Sequence, residues 1–287
     1  MFIDGATTLA GVMGWPVAHS LSPPMHNAAF EHLGLNWVYV PCPVAPEQVE
    51  AALLGVRGLG FAGINVTIPH KSAVLPYLDE VSRDAQLLGA ANTILHQDGI
   101  LHGENTDIQG FLRSVEEIGW SLTGRSVVVL GAGGSARAVC LAAIRAGAEQ
   151  VIILNRTGDR AAQLADLLTP VAGETVLGAL ALDDPLVPGV VAAAQVVVDC
   201  TSVGMYPHHE VAPVVPGEWL QAGQLVCDLT YNPRRTVLLQ AAEEAGAATL
   251  EGTGMLVHQG ALALELWTGR EAPVEVMRSA LLLALAE

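Results

Sequence analysis

The chain has 287 residues, 51% of them hydrophobic and 15% charged, with a formal net charge of −16. Its 13 basic against 29 acidic residues exclude a general nucleic-acid surface, because neutralising phosphates takes clustered Lys and Arg. Mean hydropathy is +0.43, yet Gly, Pro or charge interrupts every apolar run before the ~18 residues a spanning helix needs, so no membrane partner is expected.

The opening MFIDGATTLAG carries an acid and no positive n-region, so no secretory signal is expected. LAGVMGWPV reads as a strand and turn, and MHNAAFEHLGL as a helix beginning just after Pro23-Pro24. WVYVPCPV is the next strand and EQVEAALLGVRGLG a helix ending in glycines. GINVTIPHK (Gly63 to Lys71) follows as a strand. Ile64, Val66 and Ile68 mark its apolar face, Asn65 and Thr67 share the other, and Pro69 stops it two residues before Lys71. AVLPYLDEVSRDAQLLG covers helical segments, and ANTILHQDGILHGEN two short strands around Asp98-Gly99, a dipeptide that favours a tight hairpin turn. TDIQGFLRSVEEIGW is a helix capped by Thr106 or Asp107.

A new pattern of strand, glycine turn, helix and strand starts near Arg125 and repeats to about Gly252. MLVHQGALALELWTG and PVEVMRSALLLALAE then close the chain as helices. Cys42, Cys140, Cys200 and Cys227 lie far apart without a C-x-x-C spacing. Neither a disulfide framework nor a metal site is therefore expected, and a reducing cytoplasm is. His208-His209-Glu210 lies in a proline-rich loop without further nearby ligands, so no metal is expected there either.

The strongest local signal is SVVVLGAGGSARAVCLAAIRAGAEQVIILNRT. Val127 to Leu130 form a strand, Gly131-Ala132-Gly133-Gly134 a turn, Ser135 to Ala146 a helix, and Val151 to Leu154 a second strand. Gly131, Gly133 and Ala136 fit G-x-G-x-x-G/A in the setting a dinucleotide site requires. The glycines permit the turn and let backbone N–H groups face a pyrophosphate at the helix N-terminus. The second strand ends in Asn155-Arg156-Thr157, with Arg160 close behind, where an NAD site would place an acid. Two guanidiniums and a hydroxyl suit a 2′-phosphate, so NADP(H) is the expected cofactor. The plainer alternative is that both arginines are solvated residues at a helix start.

Nine segments in this order resemble the shikimate dehydrogenase family over nearly the whole chain: HSLSPPMHN, GINVTIPHK, GAANTI, GENTDIQGF, GAGGSAR, NRTGDR, TSVGM, DLTYNP and GTGMLVHQ. The resemblance implies a two-domain α/β enzyme. An N-terminal substrate domain at 1–110 is completed by helices at 255–287, and a Rossmann-type doubly wound dinucleotide domain occupies 111–254. It implies reversible NADPH-dependent reduction of 3-dehydroshikimate to shikimate, in the cytoplasm, by a monomer or homodimer. Lys71 and Asp107 match the catalytic acid–base pair. Ser20 and Ser22 resemble a pair that binds the substrate carboxylate; by themselves they also suit a turn or cap before the proline-started helix. Asn65, Thr67, Asn92, Tyr231 and Gln259 match ring- and hydroxyl-binding positions. Gly131 to Ser135, Asn155, Arg156, Thr157 and Arg160 match the phosphate segments, Thr201 lies in the TSVGM segment on the cofactor side, and Leu229 and Gly252 match positions near the nicotinamide.

Two rivals follow. A quinate/shikimate dehydrogenase of broader specificity tends to carry threonine for the second serine or an acid after the second cofactor strand, and Ser22 and Asn155-Arg156 speak against it. A non-catalytic NADP(H)-sensing relative would lack Lys71 or Asp107, and both are present.

Overall fold

The computed structural model describes residues 3–286. The chain divides into two compact units: one runs to Gly110 and resumes at Val257, and the other spans Phe111–Leu256. The first contains β1 (Thr8–Gly14), α1 (Ser22–His32), β2 (Trp37–Pro43), α2 (Val49–Gly58), β3 (Phe61–Val66), β4 (Glu80–Val81), α3 (Arg83–Leu88), β5 (Thr93–Gln97) and β6 (Ile100–Glu104). Its sheet has the order β2-β1-β3-β5-β6-β4. β1 pairs in parallel with β2 and β3, whereas β5 runs antiparallel to both β3 and β6. Asp98 and Gly99 join β5 to β6 with φ of 53° and 82°, the left-handed pair that a two-residue hairpin turn demands. Met13, Leu53, Phe61, Ile64, Val66 and Ile94 fill the core of this unit.

Two expected boundaries move. Helix α1 begins at Ser22 and takes Pro23 and Pro24 into its first turn, where a missing N–H costs nothing because those donors have no partner within the helix. Strand β3 ends at Val66. The Thr67 N–H still donates to Met13 O at 2.9 Å, but the chain then turns, His70 N–H reaching Thr67 O at 2.9 Å. Thr67 is therefore not the strand neighbour of Asn65, and Ile68, 68% exposed, does not belong to the apolar face. Pro69 accounts for this: its ring keeps the preceding residue extended and removes the next ladder donor.

The boundary between the units falls within α4 (Asp107–Glu117). The second unit then holds β7 (Ser126–Leu130), α5 (Gly134–Arg145), β8 (Gln150–Asn155), α6 (Gly158–Leu168), β9 (Val176–Ala181), α7 (Val187–Ala193), β10 (Val196–Asp199), β11 (Leu225–Asp228), α8 (Val237–Glu244) and β12 (Ala248–Glu251). Its strands lie in the order β9-β8-β7-β10-β11-β12, all parallel. This is the doubly wound arrangement, with its order reversing between β7 and β10, where such sheets open a crevice at the strands' carboxyl ends. Val127 to Leu130, Val196 to Val198 and Leu225 to Cys227 are fully buried, as strands covered on both faces must be.

The chain closes with α9 (Thr253–Thr268) and α10 (Val274–Leu285). From Val257 onward they belong to the first unit: α10 packs against α1, and Trp267 Nε1 donates to Ile94 O of β5 at 3.1 Å. The expected end of the last helix, Glu287, lies outside the described residues.

Candidate active site

Lys71 sits in the turn after β3, where its carbonyl accepts from the Ala91 N–H at 2.8 Å. Asp107 opens α4. Lys71 Nζ donates to Asp107 Oδ2 at 2.6 Å, and the two side chains are 19% and 6% exposed. A charge pair this enclosed is screened little by solvent and holds a defined geometry. The other Asp107 oxygen accepts from Asn92 Nδ2 at 2.8 Å. Asp107 is thus bonded on both oxygens to residues outside its helix. Thr106 directs its hydroxyl at Asn92 Oδ1, 3.3 Å away, so the polar side chains at this helix start converge on the Lys71 site.

Asn92 is 2% exposed and its polar atoms are fully engaged. Nδ2 also approaches Thr106 Oγ1 at 3.0 Å and Gln259 Oε1 at 3.4 Å, while Oδ1 accepts the Thr106 N–H at 2.8 Å. Gln259 reaches this point because α4 and α9 meet closely at Gly110, where a Cβ would stand 2.8 Å from that of Gln259. Asn65 Nδ2 uses its two hydrogens on Thr93 Oγ1 and Asn92 O, at 3.0 and 3.3 Å, and Asn65 Oδ1 accepts from the Tyr39 hydroxyl at 2.8 Å. For an incoming hydroxyl, Asn65 offers the second lone pair of that oxygen.

Ser20 Oγ accepts the Ser22 N–H at 3.3 Å, the turn that the sequence alone equally allows. Ser22 opens α1 and is 8% exposed. Lys71, Asp107, Asn92 and Gln259 thus form one cluster, with Asn65 joined to it through Thr93 and Tyr39 behind Asn65. The bonds found for Thr67 are those of its backbone. Tyr39, Thr93 and Thr106 carry this network although sequence reasoning does not single them out as site residues. Tyr39 and Thr93 look like ordinary strand residues, and Thr106 like a helix cap.

In the second unit the glycine turn joins β7 to α5. Gly131 has φ of +104°, and a Cβ there would approach Thr201 Cγ2 to 3.3 Å, so this left-handed, crowded turn takes glycine. Gly133 caps α5 without any side-chain hydrogen bond, which leaves the first-turn N–H groups facing outward, as an anion site needs. Ala132, Arg137, Arg160 and Gln163 line a polar cavity of ≈ 190 Å³. Arg156 does not line it. Arg156 and Arg160 are both exposed, and neither forms a salt bridge among the described residues. Asn155 Nδ2 donates to Thr157 O at 2.8 Å, holding the turn after β8. These groups fit a phosphorylated dinucleotide: open N–H donors at a helix start, and two guanidiniums free to meet a second phosphate.

Leu229 and Gly252 are in direct contact, since a Cβ on Gly252 would fall 2.3 Å from Leu229 O. Tyr231 follows in the loop after β11, its hydroxyl pushed above the usual tyrosine range by burial. Beneath these loops Asp199 and Asp228 pair across β10 and β11, 2% and 1% exposed. Burial first, then the Asp228 charge, pushes Asp199 up to about 6, against hydrogen bonds from Thr201. Among the described residues no three His, Cys, Asp or Glu side chains gather as a metal site, and no helix is long and apolar enough to cross a membrane.

Comparison with known proteins places three family profiles on the chain. "Shikimate dehydrogenase substrate binding domain" matches residues 12–94, "Shikimate / quinate 5-dehydrogenase" residues 113–210, and "Shikimate 5'-dehydrogenase C-terminal domain" residues 252–282. A shikimate dehydrogenase (NADP+) of Methanopyrus kandleri is 50% identical, covering 98% of this chain and 97% of that protein. A crystal structure of a shikimate dehydrogenase in complex with NADP+ is 41% identical, with TM-score 0.92, over 100% of this chain and 98% of that one. The Thermus thermophilus shikimate 5-dehydrogenase solved with NADP(H) and shikimate is 39% identical, with TM-score 0.87, over 96% and 99%.

Proposed function

The chain belongs to the shikimate dehydrogenase family, and from that premise we propose that it reduces 3-dehydroshikimate to shikimate reversibly, in aromatic amino acid biosynthesis. The observation that carries the mechanism is the enclosed Lys71–Asp107 pair at 2.6 Å. NADP(H), when bound, supplies or accepts the hydride. In the reductive direction the Lys71 ammonium gives a proton to the substrate carbonyl oxygen as that oxygen gains negative charge, and solvent then restores the proton. Asp107 fixes Nζ in place and stabilises the ammonium between turnovers. Asn92 holds Asp107 from its other oxygen. The site therefore moves one proton at one atom.

Ser20, Ser22, Asn65, Thr67, Gln259 and Tyr231 are the proposed contacts to the carboxylate and hydroxyls of the substrate. A hydrogen-bonding wall of this kind rejects analogues whose hydroxyls do not match. Arg156, Arg160 and Thr157 would meet the 2′-phosphate, and the glycine turn with Ser135 would meet the pyrophosphate. Thr201, Leu229 and Gly252 would flank the nicotinamide. The enzyme works as a monomer or homodimer in a reducing cytoplasm, in keeping with its four free cysteines.

The test is absorbance of the reduced nicotinamide at about 340 nm, with shikimate or quinate offered with NADP+ or NAD+ in all four pairings. Reduction confined largely to shikimate with NADP+ is expected. Comparable rates with quinate or NAD+ would point to a broader-specificity enzyme, and no signal in any pairing would remove the catalytic reading.

A further inference from the structure

The buried hydrogen bonds behind Lys71 share one direction. The Tyr39 hydroxyl donates to Asn65 Oδ1 at 2.8 Å, and Asn65 Nδ2 to Thr93 Oγ1 at 3.0 Å. Thr93 Oγ1 donates to Asn92 Oδ1 at 3.2 Å, and Asn92 Nδ2 to Asp107 Oδ1 at 2.8 Å. All five residues are at most 6% exposed. Four donors in series thus end on the carboxylate whose other oxygen receives Lys71.

Neither amide can turn over. The Thr106 backbone N–H, which only donates, faces Asn92 Oδ1 at 2.8 Å. The Asn92 backbone carbonyl, which only accepts, faces Asn65 Nδ2 at 3.3 Å. Thr93, having accepted from Asn65, has one proton left. It goes to Asn92 Oδ1 or to Thr106 Oγ1 at 3.2 Å, and Thr106 Oγ1 itself reaches Asn92 Oδ1 at 3.3 Å. Both routes end on Asn92. An amide that accepts at oxygen gains C–N double-bond character and donates more strongly from nitrogen, so two amides in series pass the polarisation forward.

We propose that Thr93 and Tyr39 are positioning residues for the acid–base pair, aligning Asn92 so that Asp107 keeps Oδ2 turned to Lys71. The proposal rests on Lys71 and Asp107 acting as that pair. The groups facing Asp107 are Lys71 from the turn after β3 and Asn92 ahead of β5, with Gln259 of α9 behind Asn92. Lys71 is the charged one among them. Thr93 and Tyr39 touch neither Lys71 nor Asp107 through any hydrogen bond found, so their influence must pass through the amides.

Steady-state kinetics of the full chain test this with Thr93→Val, Thr93→Ser and Tyr39→Phe, alone and with Lys71→Ala. Thr93→Val keeps the side-chain volume and deletes the hydroxyl. Its kcat is expected to fall on the order of tenfold while the KM for NADP+ stays at the wild-type value. Tyr39→Phe lowers kcat by a smaller factor, because it acts two links further back. Thr93→Ser restores the hydroxyl and with it kcat. On the Lys71→Ala background Thr93→Val brings no further loss. Wild-type kcat in Thr93→Val, failure of Thr93→Ser to rescue, or an undiminished loss on the Lys71→Ala background would each overturn the proposal. Lys71→Ala with near-normal kcat would remove the acid–base reading itself, a separate result. If circular dichroism shows Thr93→Val unfolded, Tyr39→Phe decides by its own smaller loss of kcat at constant NADP+ KM, and wild-type kcat in that variant would overturn the proposal.

Discussion

His26 is fully buried on α1, stacked on Tyr39 with ring centroids 4.3 Å apart, and neither ring nitrogen has a hydrogen-bond partner among the described residues. Burial lowers its pKa from 6.5 to about 3. Below pH 6.5 the unfolded chain takes up a proton that the folded chain refuses, so this residue subtracts stability as the pH falls from 6.5 towards 3. At pH 5 the loss is about 2 kcal/mol. His26→Leu is expected to leave stability close to wild type at pH 7 and to exceed wild type increasingly down to pH 5, as read by urea denaturation. A difference between the two proteins that stays constant with pH would reject this account. His26 also shows why some of the site is hard to read from residue types. Lys71 and Asp107 stand out in GINVTIPHK and GENTDIQGF because charge beside a strand end or helix start is conspicuous. Tyr39 and His26 lie in stretches that satisfy every criterion for core, and their roles depend on neighbours distant in sequence.

At the level of elements, the pairing of β10 with β11 sets Asp199 opposite Asp228 in a dry sheet. Moving the Asp199 carboxyl from 3.8 to about 6 makes the folded state hold the extra proton in that interval, so stability falls as pH rises through it and the whole cost is present above pH 6. Asp199→Asn keeps an oxygen for the Thr201 N–H, now 2.7 Å from Oδ1, and cannot ionise. The variant is expected to match wild type near pH 4 and to be more stable by up to about 3 kcal/mol above pH 7. Equal unfolding free energies of the two proteins above pH 7 would contradict it. The element plan that creates this pair is largely legible beforehand. Glycines after Leu130 and the Asp98-Gly99 hairpin are local signals, since positive φ is written into those residues. The start of α1, the end of β3 and the two-residue strand β4 are not, because Pro-Pro allows either helix start, Pro69 acts one residue ahead of itself, and β4 exists only through its pairing with β6.

For the molecule as a whole, a net charge of −16 opposes any anionic cofactor, and the phosphate added in NADP+ meets more of that repulsion than NAD+ does. Arg156 and Arg160, exposed and without a salt bridge among the described residues, are the proposed local answer to that field. Arg156→Ala combined with Arg160→Ala is expected to raise the KM for NADP+ on the order of a hundredfold and that for NAD+ by less than about threefold. The NADP+ preference of the parent enzyme is expected to weaken with added salt, which screens exposed charges. Equal losses for both cofactors, measured side by side, would rule out a 2′-phosphate role. The division of the chain adds a consequence of another kind. Residues 111–256 form one uninterrupted unit, whereas the sheet that carries Lys71 needs α9 and α10, from Val257 onward, to cover it. On the ribosome that uninterrupted unit is expected to be able to fold as soon as it emerges. The earlier unit must wait for α9, whose Gly260 lies against Met25, on the order of ten seconds at 5–20 residues per second, so the half made first is expected to be finished last and to keep its apolar surface open longest during synthesis.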